Sequence, residues 1–516
     1  MRIPKKTAVS AAAFAALALT LSACGGGGGG TGSGDGTSAD GGTSGEAAAF
    51  DRPITWMSML HTPTTPAADG PIHEALVEHT GADFEIQWVP DASKEEKLNA
   101  ALASNTLSDI TSLTLIDSTT VRSALGSGMF WDVEEYLPEF ENLAKIDPAT
   151  LEVSRIDGKL YGIPFQKPIA RYGVLVRQDW LDNLGLETPH TIEELTAVAK
   201  AFTEDDPDGN GADDTVGFIE RAESYKLSFR VLAGYFGAGD KWELSEDGEI
   251  VPAFTTDAYK EAMEWYREAY ANGQINQEFV TTQKQNQLDA IAQNKDGIVV
   301  TGLMEARGYM STATSADPNT TMAWALINDM VFEDVDRRIV SDTNGGMGGW
   351  LAISKNTVKT EADLRHVLGF IDSLLDEEAF SLMTNGIEGV NYEVDADGVI
   401  TILDQAVWEQ EVQPYVSSRP SDMVVTFNSA APYVNEGNKL IAENAEFAVT
   451  NPAQALTSET YDTRWSAIDQ QVMDAFNQYV MGQIDMAGFE KVIESARGQG
   501  LDSIIEEFTA AYEASK

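Results

Sequence analysis

The 516-residue sequence has a single cysteine, Cys24, so no intrachain disulfide can form and burial must hold the fold together. Basic residues are scarce: 34 Lys and Arg stand against 82 Asp and Glu, a formal charge of -48. Such a surface repels nucleic-acid backbones and anionic lipid, which excludes nucleic acid as a partner and otherwise reports solubility. Histidine is sparse as well, with five residues and no His-Glu-x-x-His zinc motif. Neither a Gly-x-Ser-x-Gly elbow nor a Gly-x4-Gly-Lys-Ser/Thr phosphate loop occurs, so the usual local signs of an enzyme are missing. After Leu21 no stretch approaches the length of an apolar membrane span. Aromatic residues, at 9%, are ordinary in number and identify no sugar binder by themselves.

What is present begins at the N-terminus. Arg2, Lys5 and Lys6 precede an apolar run from Ala8 to Leu21, interrupted only by Ser10 and Thr20 and ending in Leu21-Ser22-Ala23-Cys24. This pattern reads as a secretion signal over residues 1–23, too short to cross a bilayer comfortably. Its last four residues resemble a bacterial lipobox, which implies cleavage before Cys24 and a lipid on that thiol. Each buried methylene contributes about 0.8 kcal/mol, so two or more acyl chains anchor a protein firmly. The expected location is therefore the outer face of the cytoplasmic membrane, with contact through the lipid only. Residues 25–46 contain twelve glycines among Ser, Thr, Asp and Glu, too polar to form a core. We read 24–49 as a tether with a reach of roughly 25 Å.

From Phe50 onward, short strand signals alternate with amphipathic helix signals. Phe84, Ile86 and Trp88 show the period of two of a half-buried strand, and 54–58, 297–301 and 349–353 read as further strands. Leu364, Val367, Leu368, Ile371, Leu374 and Leu375 follow helical spacing. A second helix starts at Thr191, whose hydroxyl can cap Glu194, and runs through Leu195, Val198 and Phe202. A third carries Tyr259, Ala262, Met263, Tyr266 and Tyr270 and stops at Gly273. Alternation over this length argues for open, mostly parallel α/β sheets split into two lobes, with ligands held beyond the carboxyl ends of strands. Asp157-Gly158 fits a two-residue hairpin turn, followed by an extended stretch stiffened by Pro164 and Pro168 before a strand at 173–177.

Several segments are similar to bacterial extracellular solute-binding proteins of ABC importers, in particular the large branch that includes alginate-oligosaccharide and other carbohydrate binders. They are Asp157-Gly-Lys-Leu-Tyr-Gly-Ile-Pro164, Val176-Arg-Gln-Asp-Trp-Leu-Asp-Asn-Leu-Gly185, the acidic loop 206–214, Phe236-Gly237, Asn385-Gly-Ile-Glu-Gly-Val-Asn-Tyr392 and a terminal helix ending near Ala510. The resemblance covers about residue 50 to the C-terminus. It implies a two-lobed α/β fold like the type II periplasmic binding proteins, each lobe a mostly parallel sheet flanked by helices. The chain would cross between lobes near 168 and return near Gly345-Gly-Met-Gly-Gly349 through a hinge. The lobes are then 50–169 plus 346–395 and 170–345 plus 396–516. The implied role is to capture a small solute, an oligosaccharide first of all, by hinge closure and hand it to permease subunits, as a monomer. A surface sensor or adhesion lipoprotein with the same fold is the alternative, and a carbohydrate-active enzyme a remoter one.

In the acidic loop, Asp206, Asp208, Asn210 and Asp214 stand at positions 1, 3, 5 and 9 of an EF-hand-like segment, with Gly211 at position 6 and the Ala212 carbonyl at position 7. Position 12 is Gly217 rather than the bidentate Glu, so water, Thr215 or Glu220 must complete the shell. The resemblance implies a structural Ca²⁺; an acidic turn closed by Asx hydrogen bonds is the other reading.

A sugar needs aromatic faces and paired polar groups on strand-end loops. That criterion selects Met59, His61 and Thr62 after the first strand, and Phe165, Gln166, Arg171 and Tyr172 around the crossing. It also selects Tyr235 and Phe236 after an apolar segment, Glu305 and Arg307 after the strand at 297–301, and Trp350 beside the return crossing. Each has a plainer reading: Trp350 as core, His61 as a solvated loop residue, Arg171 and Arg307 as partners of some of the many acids.

Overall fold

The computed structural model describes residues 50–62, 64–116 and 118–516. The expected signal peptide 1–23, the lipidation site Cys24 and the tether 24–49 lie outside the described residues. Two principal sheets are built from β1 (Ile54–Leu60), β2 (Phe84–Pro90), β3 (Ile110–Leu113), β4 (Gly162–Gln166), β5 (Tyr172–Arg177), β6 (Val216–Phe218), β7 (Asp296–Gly302), β8 (Trp324–Ile327) and β9 (Met347–Ile353). The first has the order β2-β1-β3-β9-β4 and the second β8-β5-β7-β6.

Strand direction follows from how the chain enters each sheet. In the first sheet β1 is parallel to β2 and β3, whereas β9 runs antiparallel to β3 and β4, so β9 alone is reversed. In the second, β5 runs antiparallel to β7 and β8 while β6 is parallel to β7, so β5 alone is reversed. These two are the strands that directly follow the connections 167–171 and 341–346 between the sheets. A strand entering from the junction must run away from it, and every other strand then points its carboxyl end toward it. The mostly parallel α/β lobes expected from the sequence are thus present, and their strand ends converge where the chain crosses.

Both faces of each sheet are covered, as largely parallel sheets require. Ile54 and Trp56 enter one core and Met57 and Met59 the other, by the two-residue alternation of β1. In the second sheet Val174 and Val176 face one core and Leu175 the opposite one.

The helices that matter below are α1 (Thr119–Gly126), α2 (Ile192–Glu204), α3 (Asp257–Ala271), α4 (Glu305–Ala316), α5 (Glu361–Ser373), α6 (Gln405–Glu411) and α7 (Glu459–Val480). α2 starts as expected: the Glu194 amide donates to the Thr191 hydroxyl at 3.1 Å and the Glu194 carboxylate accepts from the Thr191 amide at 3.1 Å. Its Leu195, Val198 and Phe202 are buried. α5 has the same device at Thr360 and Asp363 and buries Leu364, Val367, Leu368 and Ile371. α3 buries Tyr259, Ala262, Met263 and Tyr266 and is followed by Gly273 at φ 73°. Among the described residues no helix is long and apolar enough to cross a membrane.

The structure departs from the sequence reading at three places. Asp157 and Gly158 do form the expected tight turn, at φ 52° and 70°, but only Ile156 and Lys159 pair across it, because the Leu160 carbonyl accepts from Val133 instead. The stretch after it is not a bare connector: Pro164 lies in β4, an edge strand, where a missing amide costs no ladder bond. Residues 396–516 do not all belong with the second sheet. Trp408, Val412 and Tyr415 pack in one core with Ile163 and Leu351 of the first, and the chain makes a third connection over 417–433. Their helical spacing announces a buried stripe without saying which sheet it covers.

The glycines at 345–349 divide their work. Gly345 and Gly346 turn the chain at φ 78° and 94°, whereas Gly349, at φ 133°, brings β9 so close to β3 that a Cβ would lie 2.2 Å from the Leu113 carbonyl oxygen. Gly349→Ala is therefore expected to destabilise the protein by about 2 kcal/mol or more. Urea unfolding measures this, and an unchanged midpoint would show that β3 and β9 can separate freely.

Candidate functional site

Three connections lie side by side at the junction. The Gln166 amide donates to the Pro420 carbonyl at 2.9 Å and the Asp422 amide to the Gln166 carbonyl at 2.8 Å. On the other side the Lys167 amide reaches the Gly346 carbonyl at 2.9 Å. Ser341 and Thr343 hydroxyls cap the carbonyls of Pro168 and Ile169. Backbone in an irregular crossing thereby finds the partners that a sheet would otherwise supply.

Charged side chains tie the same segments. Lys167 Nζ stands 2.8 Å and Arg419 Nη2 3.0 Å from the Asp422 carboxylate, while Arg171 holds Asp342 through its backbone amide (2.6 Å) and its Nε (2.8 Å). Burial would raise the Asp422 carboxyl, but Lys167 and Arg419 outweigh it and hold the group at about 2. Burial pulls Lys167 below its ordinary value against the opposing pull of Asp422. It would lower Arg171 too, yet Asp342 and Asp422 keep that guanidinium above its usual range.

Arg171 is enclosed enough for burial to be the largest influence on it, yet 39% of its side chain remains accessible. His61 behaves alike: 46% accessible, with its pKa drawn down chiefly by burial. Lys94, Lys167 and Lys284 also lower His61 while Asp91 raises it, and Asp342 and Glu305 act with burial to raise Tyr172. Charged groups on loops of both sheets thus come within electrostatic reach of one another at the junction.

Of the sequence-selected residues, His61, Gln166, Arg171, Tyr172, Glu305 and Arg307 are half-buried or exposed around this junction. Thr62 lies beside them, its hydroxyl donating to the Thr64 carbonyl at 2.9 Å. Arg171 is at once the acid partner of the plainer reading and a residue of the junction. Five others are core. Met59 and Trp350 fall on an inward face of β1 and β9, and the Trp350 Nε1 donates to the Ser154 carbonyl. Tyr235 closes the wholly buried helix Ser228–Tyr235, and Phe236 packs on Phe332 with ring centroids 4.2 Å apart. Phe165 is buried under Lys167. Strand alternation places Met59 inward, a signal present in the sequence. Nothing in the sequence pairs Lys167 with Asp422, 255 positions away, or singles out Arg419, Lys284 and Trp408.

A family model described as bacterial extracellular solute-binding protein matches residues 73–397. The polygalacturonan/rhamnogalacturonan-binding protein YtcQ of Bacillus subtilis is 35% identical over 465 residues, covering 90% of this chain and 92% of that one. The chain belongs to the bacterial extracellular solute-binding proteins. Its fold matches the HMO-binding, ABC-transporter-associated solute-binding protein of Bifidobacterium longum infantis with a TM-score of 0.69 at 17% identity, covering 90% of this chain and 99% of that one. It also matches the alginate-binding protein AlgQ2, solved without calcium ion, with a TM-score of 0.68 at 18% identity over 90% and 98% of the two chains.

In this solute-binding protein the acidic loop is tightly wound. The Asp206 carboxylate accepts from the amides of Asn210 (3.0 Å) and Gly211 (2.9 Å), and the Asn210 side chain donates to Asp208 (2.8 Å) and Asp214 (3.1 Å). Ala212, whose carbonyl was the expected position-7 donor, gives its amide to Asn210 Oδ1. Lys295 pairs with the second oxygen of Asp214. Both candidates for completing a metal shell are engaged elsewhere: the Thr215 hydroxyl donates to the Phe202 carbonyl, and Glu220 is buried beneath the hydroxyls of Ser224 and Ser228. Among the described residues no group of three or more His, Cys, Asp or Glu is arranged to hold a metal ion. The donor chemistry is nonetheless all oxygen, as a hard cation requires, with Lys295 as the group it would displace.

Asp422 carries the junction, so Asp422→Asn, which leaves two enclosed cations unpaired, is expected to cost about 3–5 kcal/mol. Its carboxyl is depressed from 3.8 to about 2, so its contribution is full above pH 3.8 and disappears as pH falls toward 2. Urea unfolding of wild type and variant should show a gap at pH 6 that narrows below pH 4. A gap independent of pH would assign the loss to packing.

Proposed function

We propose that this protein is the oligosaccharide receptor of an ABC importer, gripping its cargo in the crevice between two lobes and releasing it unaltered to the permease. The observation that carries the reading is that strand ends of both sheets converge on the crossing segments, where Arg171 and His61 keep part of their side chains accessible. It is supported by the relatives: all those described above are binding proteins, one of them for a polygalacturonan and one associated with an ABC transporter. The working lobes are residues 50–169 with 346–416 and residues 170–345 with 433–516, hinged at the three connections. Closure requires cargo contacts that exist only when the lobes meet, since a ligand shifts a two-state equilibrium only by its differential affinity. The mature chain acts as a monomer and is held at the membrane by lipid on Cys24 through its glycine-rich tether.

The loop 206–214 takes Ca²⁺ as a stabilising ion, with Asp206, Asp208, Asn210 and Asp214 supplying side-chain oxygens, the Ala212 carbonyl a further one, and water completing the shell. Calcium appears in the description of AlgQ2, whose fold is shared.

Two measurements test these assignments. X-ray scattering with a saturating oligosaccharide should show compaction, with the sugar recovered intact by chromatography; an unchanged radius or a cleaved sugar would refute the receptor reading. EGTA should lower the melting temperature and Ca²⁺ restore it. A transition indifferent to both would make the loop a plain acidic turn.

A further inference from the structure

We propose that the cargo is an acidic oligosaccharide and that Arg307 is the residue that selects its carboxylate. The inference rests on the oligosaccharide reading and adds the charge of the sugar and the group that reads it.

Arg307 lies in the first turn of α4, directly beyond the carboxyl end of β7, and so projects from the second sheet at the junction. Its guanidinium stands 5.4 Å over the ring of Trp408, which packs in the core of the first sheet. That ring is itself fixed, because its Nε1 donates to the Thr384 carbonyl at 3.1 Å. Trp408 therefore offers the guanidinium a fixed aromatic neighbour across the junction, and the guanidinium presents five donors in a rigid fork.

Among the described residues no carboxylate hydrogen-bonds to Arg307. Lys167, Arg171 and Arg419 at the same junction each hold Asp342 or Asp422 directly. Glu305 and Glu409 act on Arg307 only at a distance, and burial already works against its charge. Arg267, Arg337 and Arg338 also lack a hydrogen-bonded acid but donate to the carbonyls of Ile484, Asn328 and Ala238, whereas the Arg307 guanidinium has no hydrogen-bond partner among the described residues. A carboxylate meeting the fork edge-on gains two charge-assisted hydrogen bonds. The surroundings favour it further. Three cations, Lys167, Arg171 and Arg419, share the two carboxylates of Asp342 and Asp422 in the crossing cluster, while Lys94 and Lys284 are paired with Asp91 and Glu305. The crossing cluster thus carries one surplus positive charge in a strongly negative molecule. At 0.1 M salt the screening length is about 10 Å, so the remote surface acids weigh little against these near cations.

Calorimetry on the mature chain with an oligogalacturonide and its fully methyl-esterified form, which differ in charge but keep the same sugars, tests the assignment. Wild type should bind the acid about tenfold or more tightly than the ester. That preference should fall with added salt. Arg307→Gln should abolish the preference by weakening the acid at least tenfold more than the ester, and Arg307→Lys should keep only part of it. Equal binding of acid and ester by wild type, or an undiminished preference in Arg307→Gln, overturns the inference. Binding of neutral oligosaccharides alone overturns it while sparing the receptor reading, whereas failure of every saccharide to bind removes both.

Discussion

The whole architecture turns on the small ionic cluster that binds three crossing segments into one strap. Asp422 draws Lys167 and Arg419 together, and Asp342 fixes Arg171 through backbone and side chain alike. Enclosed ions repay their desolvation only with good geometry and additional hydrogen bonds, and here the strap supplies both. The backbone groups of the connections are already paired with one another and with Ser341 and Thr343, and the ion pairs bind the same segments a second time. The surplus cation of the cluster also gives the junction its local sign.

The sequence made the layers visible because layers are local. Strand alternation in 84–88, the cap at Thr191 and Glu194 and the stripe from Leu364 to Ile371 each depend on a few neighbouring residues, and each appears where expected. The turn at Asp157-Gly158 was legible for the same reason. Missing from that reading was anything that depends on distant segments meeting. Arg419-Pro-Ser-Asp422 reads as a polar turn until Lys167 is brought beside it. The third connection was invisible because a helical stripe at Trp408, Val412 and Tyr415 names no partner sheet.

The site residues sorted by one criterion that composition could not provide. Aromatic residues near strand ends were reasonable sugar platforms, yet Tyr235, Phe236 and Trp350 went to the core, where large apolar surface is worth most. The polar residues His61, Gln166, Arg171 and Glu305 stayed at the junction because full burial would strand their charges or donors. At a junction built this way the polar groups are the dependable part of a sequence-level guess.

One more contact bears on how such a molecule moves. Arg122 of α1, on the first sheet's side, is almost fully buried against the second: it donates to the Leu456 carbonyl at 2.8 Å, pairs with Asp462 of α7 at 3.2 Å and lies 5.7 Å over the Tyr461 ring. Connections along a strap permit rotation about it, but a second attachment elsewhere restricts which rotations are cheap. A motion about an axis through both the strap and Arg122 keeps every one of these bonds, whereas any other must strand a buried guanidinium, at a cost of several kcal/mol. Arg122 is thus a second cross-link between the two sides, and a rotation about a line through it and the strap would break the fewest contacts.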